Sequence, residues 1–417
     1  MDTSTNFATF LLILIVVKFV FNLYLLRRQK TFVWINRSTV PAPFISQISL
    51  PEHQKAAGYT IAKANYARWQ MLLDFALLTF WLFAGGYAML QQMATDLSTS
   101  SILQGLIFFA LLAIITTIIG LPFDLYQTFV LEEKFGFNKT TPKLFFVDML
   151  KQLLLTFIIG ALLITVFLKL MDSLGQVWWI WGWGVLCLFQ LLMMWAYPAF
   201  IAPLFNKFEP LQNEELKQRI ENLLSRAGFH SKGLYVMDAS KRSSHGNAYF
   251  TGFGKNKRIV FFDTLLKNLL PLEVEAVLAH ELGHFKRKHI FKMICITFLL
   301  SFISFAALGY LAKQDFFYTN FKMQPATYAA LALFMSILPA VTFFLTPVMS
   351  LFSRKHEYEA DAYAALMSDA SSLETALVKL YKENASTLTP DPWYSFFFHS
   401  HPAAWERIKH LQSLKGK

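Results

Sequence analysis

At positions 280–284 the chain reads His280-Glu281-Leu282-Gly283-His284. At 3.6 residues per turn, helical positions i and i+4 lie on one face. Two imidazoles placed so can reach one Zn²⁺ at about 2.0–2.1 Å each. Glu281 stands beside them, set to take a proton from a water activated by the metal rather than to bind the metal itself. A helix with two surface histidines would give the same letters. Against that reading, the motif falls inside a predicted helix and in a polar stretch of an otherwise apolar chain. His280 and His284 are therefore expected to be metal ligands, with Glu281 as the general base.

Catalytic zinc usually keeps three protein ligands and one open position for water. Candidates for the third ligand occur at Arg354-Lys355-His356-Glu357-Tyr358-Glu359-Ala360-Asp361. Glu357 and Asp361 are again four apart and share a helix face. One carboxylate can bind the metal while the other holds a ligand histidine by its free ring N–H. Glu359 points roughly the opposite way. His356 is a rival ligand, and a solvated acidic turn would account for the same residues. The expectation is one Zn²⁺ per chain.

The elements that must position these groups belong to a membrane protein. Of 417 residues, 55% are hydrophobic, only 16% are charged, and 43 are Phe. Average globular usage is nearer 45–50% apolar and about 25% charged, so a soluble fold could not hide this much apolar surface. Disorder, collagen and coiled coil need far more charge, Gly or Pro. The two cysteines, Cys187 and Cys295, both lie in apolar runs, which excludes a disulfide scaffold and a Cys-based zinc site. The net charge of +11 marks cytoplasmic loops rather than a nucleic-acid partner.

A span needs about 20 mostly apolar residues. Seven candidates lie near 8–26, 70–90, 103–125, 152–171, 177–200, 290–312 and 326–352. The first is not a cleaved signal peptide, because no basic segment precedes it and Arg27-Arg28 follows without a small-residue cleavage site. The fifth meets Pro198 and Pro203, and the last contains Pro339 and Pro347. Such breaks are tolerated where neighbouring helices or a water-filled cavity satisfy the backbone. Lys and Arg crowd loops 27–69 and 126–151, whereas 91–102 and 172–176 have none. Odd loops are basic and even loops are not, so the N-terminus is expected outside and the C-terminus in the cytoplasm.

Two long polar stretches remain, separated by two spans and so on one face. The expected organisation is a membrane region at 1–203 with five spans, a zinc-protease segment at 204–289, two further spans at 290–352, and a second protease segment at 353–417. The fold class is mainly α: a polytopic membrane protein with a cytoplasmic α+β zinc unit built from two segments. Within the first segment, an amphipathic helix at about 212–227 precedes a strand at Leu234–Met237. Two β-rich runs follow, Asn247–Phe253 and Arg258–Phe262, joined at 254–257 as a hairpin. A helix then starts near Pro271.

His-Glu-Leu-Gly-His just before one span and Glu-Tyr-Glu-Ala-Asp just after the next resemble the type I CAAX prenyl proteases, seven-span zinc endopeptidases of the endoplasmic reticulum with bacterial relatives. The resemblance covers nearly the whole chain. It implies helices enclosing an intramembrane chamber, zinc bound by His280, His284 and Glu357, and Glu281 as base. It gives Asp361 the part of an orienting residue or a proton donor, and the shared face with Glu357 favours orientation. Ser244-His245-Gly246-Asn247-Ala248-Tyr249-Phe250 resembles the family's His-x-Asn-Ala-Tyr-Phe segment, which implies a substrate contact for Asn247. His399-Ser400-His401-Pro402 with Glu406-Arg407-Ile408 resembles its His-x-His-Pro…Glu-Arg ending, which implies that His401 stabilises an oxyanion. Without the resemblance, Asn247 reads as a turn residue and His401 as a capping or surface histidine. Thr251 departs from the aromatic residue expected there in eukaryotic members.

The implied activity is zinc-assisted peptide hydrolysis in a lipid bilayer, on a protein or peptide substrate. A membrane quality-control protease would share every zinc residue. A channel or transporter with a structural zinc domain is a non-enzymatic alternative, but structural sites usually take four ligands, often Cys, and the spans carry few ionisable residues. No retrieval signal such as Lys-Asp-Glu-Leu ends the chain, which leans to a bacterial inner membrane over the endoplasmic reticulum. Nothing in the sequence fixes an oligomeric state.

Overall fold

The computed structural model describes residues 3–229, 231–251 and 258–415. Two helices of 34 residues open the chain, α1 at Thr3–Asn36 and α2 at Leu50–Phe83. At 1.5 Å per residue each is about 50 Å long, well beyond about 30 Å of hydrocarbon, so both project from the bilayer. The region 27–69 expected as a polar loop is thus largely helical. Ser49 starts α2 through a reciprocal cap in which its N–H donates to Glu52 at 2.8 Å. At Gly85 the backbone adopts φ +92°, a left-handed conformation that favours glycine. The chain there bends by 58° into α3, Gly86–Leu97.

Next come α4, Ser101–Tyr126, running into a π-type turn at Gln127–Glu132, and α5, Pro142–Ser173. Helix α6, Trp178–Ala196, loosens into a second π-type turn at Tyr197–Ile201, where Pro198 removes a backbone donor, before the short α7, Ala202–Phe205. The polar segment holds strand β1, Phe208–Pro210, helix α8, Glu214–Arg226, and strand β2, Leu234–Met237. Strands β3, Ala248–Thr251, and β4, Arg258–Phe262, follow. The expected hairpin turn at 254–257 and the end of the run Asn247–Phe253 lie outside the described residues. The four strands order as β1-β2-β4-β3, with β2 and β4 parallel and the outer pairings antiparallel. Short helix α9, Asp263–Asn268, leads to α10, Pro271–Lys286, and then α11, His289–Leu311. Beyond α12, Phe316–Thr319, helix α13 runs over Thr327–Thr342 with Pro339 inside it. A tight turn at Phe343–Leu345 passes the axis into α14, Thr346–Met367. Helices α15, Ala370–Glu383, α16, Pro392–Phe398, and α17, Ala404–Leu414, finish the chain.

Among the described residues six helices are long and apolar enough to cross a membrane, and seven if the bent pair α2–α3 is one span. Helix α4 packs on α5, α5 on α6, α6 on α11, α11 on α13, and α13 back on α4, which closes a ring. In the most apolar windows of α4, α5, α6 and α11 only 6, 6, 11 and 11% of residues are buried. Such helices touch neighbours along narrow seams and leave most of their apolar side chains to lipid or to the inside of the ring. A separate apolar core joins Leu223 and Ile259 of the first polar segment to Leu373 and Ile408 of the second, with Phe44 and Ile48 from between α1 and α2. The two polar segments therefore lie on the same side of the ring and share one interior.

Candidate metal centre

Helix α10 carries the His-Glu-Leu-Gly-His motif. Its start is fixed by the Leu270 N–H donating to Glu273 at 2.7 Å, and Lys379 of α15 holds the same carboxylate at 2.8 Å. Proline at the first turn costs the helix no internal bond. Helix α14 crosses α10 at Gly283, where an added Cβ would stand 2.9 Å from the Ala360 Cα and 3.0 Å from its carbonyl oxygen. Only a glycine permits that approach, and it sets the carboxylates of α14 over the imidazoles of α10.

The ligating atoms of His280, His284 and Glu357 all lie within 4.8 Å of one another. The two Nε2 atoms are 3.2 Å apart, and the Glu357 carboxylate lies 3.2 Å from His284 Nε2 and 3.6 Å from His280 Nε2. Glu357 is 4% exposed, and its Oε2 has no hydrogen bond although Arg407 Nη1 stands 3.2 Å away. Two imidazole nitrogens and an unsatisfied buried carboxylate oxygen converge on one point. A divalent cation satisfies all three, so the residues present fit a metal.

Each histidine is held from behind. His280 Nδ1 meets Asp361 Oδ1 at 2.8 Å, and donation to that carboxylate leaves the Nε2 lone pair free for a metal. Asp361 is fully buried and grips Arg407 of α17 through two bonds of 2.7 Å, from Nε and Nη2. Burial opposes charge on both partners, raising Asp361 and lowering Arg407. Their attraction outweighs it, so Asp361 lies well below the usual carboxylate range and Arg407 above its ordinary value. For Glu357 burial is likewise outweighed, by the hydrogen bond with His284 and the charge of Arg407, which bring it to about 2.

His284 has a second support that the sequence reading missed. Its Nδ1 lies 3.0 Å from Nδ1 of buried His289, whose Nε2 lies 3.0 Å from Glu359. With His284 Nδ1–H donating to His289 Nδ1 and His289 Nε2–H donating to the Glu359 carboxylate, this chain fixes the second imidazole as Asp361 fixes the first. His356, the rival ligand, instead stacks on His289 with ring centres 4.0 Å apart and stays outside the ligand group. Glu359 also stays outside that group, its carboxylate 3.0 Å from His289 Nε2.

The cavity at the centre is about 610 Å³ and is lined by Asn247, Glu281 and His401 beside the three ligand candidates. It continues to Gln190 of α6 and Met293 of α11, so it opens toward the ring. His401 Nε2 lies 3.5 Å from Glu357 Oε1. Its loop is pinned by Arg354 of α14, whose Nη1 donates to the carbonyls of Ser395, Phe396 and His399 at 3.2, 3.2 and 2.7 Å. Asn247 is held by its surroundings too: Asn384 Oδ1 accepts from the Gly246 N–H at 3.1 Å, and Thr264 donates to the His245 carbonyl at 2.9 Å. Every sequence-predicted site residue thus borders the cavity or contacts a residue that does. The missed ones are Arg407, His289, Arg354 and Asn384, and only Arg407 had a signal, its place in the Glu-Arg ending.

Comparison with known proteins agrees with this geometry. The family model described as CAAX prenyl protease N-terminal, five membrane helices, matches residues 31–207, and that of peptidase family M48 matches residues 210–415. The chain belongs to peptidase family M48. It is 35% identical to CAAX prenyl protease 1 of Saccharomyces cerevisiae over 96% of this chain and 94% of that protein. It is 36% identical to the CAAX prenyl protease 1 homolog of Oryza sativa subsp. japonica over 96% of both. The crystal structure of S. mikatae Ste24p superposes with a TM-score of 0.91 at 35% identity, covering 97% of this chain and 98% of the other. This M48 member is an integral, multi-pass membrane metalloendopeptidase, a hydrolase acting on peptide or protein substrates. Its family implies a metal, and the His-His-Glu group is where one fits.

Proposed function

We propose that the protein is a zinc endopeptidase of the CAAX prenyl protease type, with zinc held by His280, His284 and Glu357. The observation that carries this is the His-His-Glu group lining a cavity that runs into the membrane ring. Two histidines and a glutamate, with no fourth protein ligand among the described residues, are the set of a catalytic rather than a structural zinc site. When bound, zinc supplies the Lewis acidity that brings a water's pKa toward about 7. Glu281 accepts the proton of the attacking water and passes it to the leaving amine. His401 donates to the oxygen that gains charge as the carbonyl is attacked. Asp361 holds the His280 ring and is itself kept ionised by Arg407, so it orients and does not donate a proton. Asn247 offers a polar contact at the rim. Strand β3 pairs only with β4 among the described residues, and its other edge can take an extended peptide as a further strand.

The two polar segments, 204–289 and 353–417, form the protease unit, and the membrane region at 1–203 with the spans at 290–352 forms the enclosure. Basic odd loops place the site on the cytoplasmic side. That orientation is the same in a bacterial inner membrane and in the endoplasmic reticulum.

Purified protein would be incubated with a farnesylated CAAX peptide and, separately, with an unfolded membrane protein, with and without chelator. Cleavage of the peptide that chelator abolishes and zinc restores is expected. In Glu281→Gln, volume is kept and the base removed, so zinc stays bound while hydrolysis falls by orders of magnitude. Cleavage of the unfolded protein alone would favour the quality-control reading, and near-wild-type turnover by Glu281→Gln would remove that residue as base.

A further inference from the structure

On the outer side of the crossing between α10, α11 and α14, away from the metal, lies an open cleft of about 670 Å³. Lys286, Arg287, Lys288, Lys292 and Lys355 line it, all five exposed, with Glu359 as the single carboxylate. That carboxylate is already engaged by His289. Among the described residues none of the five cations forms an ion pair. Several cations elsewhere on this side do: Arg28 with Asp391, Arg226 with Glu275, Arg242 with Asp148, Lys379 with Glu273 and Lys382 with Glu52. A general excess of Lys and Arg on the cytoplasmic side explains their number but not their convergence on one cleft. The link between α10 and α11 is two residues long, and Lys288 in it takes φ +56°. This tight turn sets three consecutive basic residues beside Lys292, one turn into α11. Lys288 also caps the 23-residue α11, so the positive end of that helix dipole faces the same cleft.

Exposed apolar side chains lie close to these cations along both helices. Phe291 of α11 directly precedes Lys292, and Leu351 and Phe352 of α14 stand one helical turn before Lys355; all three are large, exposed side chains. Both helices pass there from apolar spans into the polar region. A row of lipid-facing side chains next to unpaired cations matches a molecule with hydrocarbon chains and an anionic head.

From this arrangement we infer that the cleft binds the headgroup of an anionic phospholipid of the bilayer leaflet on the protease side, with its acyl chains against the exposed faces of α11 and α14. The inference is independent of the protease reading, since none of its five cations belongs to the metal centre; only Glu359 borders both.

The full-length protein would be reconstituted in phosphatidylcholine bilayers with a trace of spin-labelled phosphatidylglycerol. The motionally restricted fraction would be compared with that of spin-labelled phosphatidylcholine. The wild type should retain phosphatidylglycerol preferentially. Each neutralised cation should lower that preference about fivefold, the scale of one Lys or Arg at an anionic surface. Arg287→Gln, Lys292→Gln and Lys355→Gln combined should bring it close to that for phosphatidylcholine. The same charge removed at Lys207, Lys267 and Lys409, exposed and unpaired elsewhere on this side, should leave it unchanged. Circular dichroism would confirm that both triple variants keep the fold. An equal loss in the control triple variant would overturn the site in favour of bulk charge, and the absence of any preference in the wild type would overturn it outright. Displacement of the label by soluble glycerol phosphate as readily as by unlabelled phosphatidylglycerol would show a phosphate site, not a lipid site, and would also overturn it.

Discussion

Glu357 and Asp361 stand four residues apart on one face of α14, yet the structure gives them opposite surroundings. Glu357 keeps an unsatisfied oxygen at the convergence of the two Nε2 atoms, whereas Asp361 is saturated by His280 and by two bonds from Arg407. Glu357→Ala should therefore lose most bound zinc together with activity, because it removes a ligand. Asp361→Asn and His289→Ala act through the ligand histidines, so each should weaken metal affinity by about 10–100-fold and be rescued by excess metal. Zinc titration of the three variants, with cleavage followed at saturating metal, checks this. Full zinc retention by Glu357→Ala would remove it as the third ligand, and an Asp361→Asn variant dead at full occupancy would return Asp361 to the proton-donor part. At this scale the legible residues were those whose partners lie one helical turn away. The pair His280–His284 and the carboxylate of Glu281 between them are encoded in local spacing. Arg407 is not, because its bonds to Asp361 cross 46 residues of chain and no periodicity records them. The chain from His284 through His289 to Glu359 depends on the turn between α10 and α11 and on the approach of α14, which local letters do not reveal.

The element that brings these residues into register is the crossing of α10 and α14. Its closest point is Gly283 against the Ala360 backbone, one residue from His284 on one helix and one from both Glu359 and Asp361 on the other. Gly283→Ala would force the helices apart or strain them, since the clash is with backbone and no side chain can swing away. A cost of about 1–3 kcal/mol in stability is expected, the usual scale of overpacking. Metal affinity should fall more than the fold does, because widening the crossing moves Glu357 from the histidines. Thermal melting beside zinc titration tests this, and a variant with wild-type affinity would show that the crossing does not set the ligand geometry. Sequence legibility differed between elements for a related reason. Proline at the first turn announced α10, and runs of β-formers announced β2 and β4. The length of α2 was hidden, because its first half is polar and helical without being apolar enough to read as a span. Its register against α1, and the bend at Gly85, come from packing between helices.

At the scale of the whole molecule, two interiors of different kind are joined at the metal centre. One is the apolar core that ties both polar segments together, and the other is the ring in which α4, α5, α6 and α11 bury little of their surface. Low burial is what apolar spans facing lipid permit, and the cavity at His280 and His284 reaches the ring at Gln190 and Met293. Composition made the membrane legible and hydropathy located the spans, but their closure into a ring is a property of long-range contacts alone. Orientation rests on charge: loops 27–69 and 126–151 are rich in Lys and Arg, while 91–102 and 172–176 have none. The two polar segments share one core, so a single topological fact places the entire catalytic apparatus. A reporter fused after Lys417 should read as cytoplasmic, and one inserted near Ser98, between α3 and α4, as external. Since α3 and α4 are joined by a short turn at the far end of the ring, both readings must change together if the orientation is reversed. The reverse pair of readings would move the metal centre to the other side of the membrane. Five candidate spans separate the two positions, so a cytoplasmic reading at both would instead mean that one of α4, α5, α6, α11 and the α13–α14 unit does not cross.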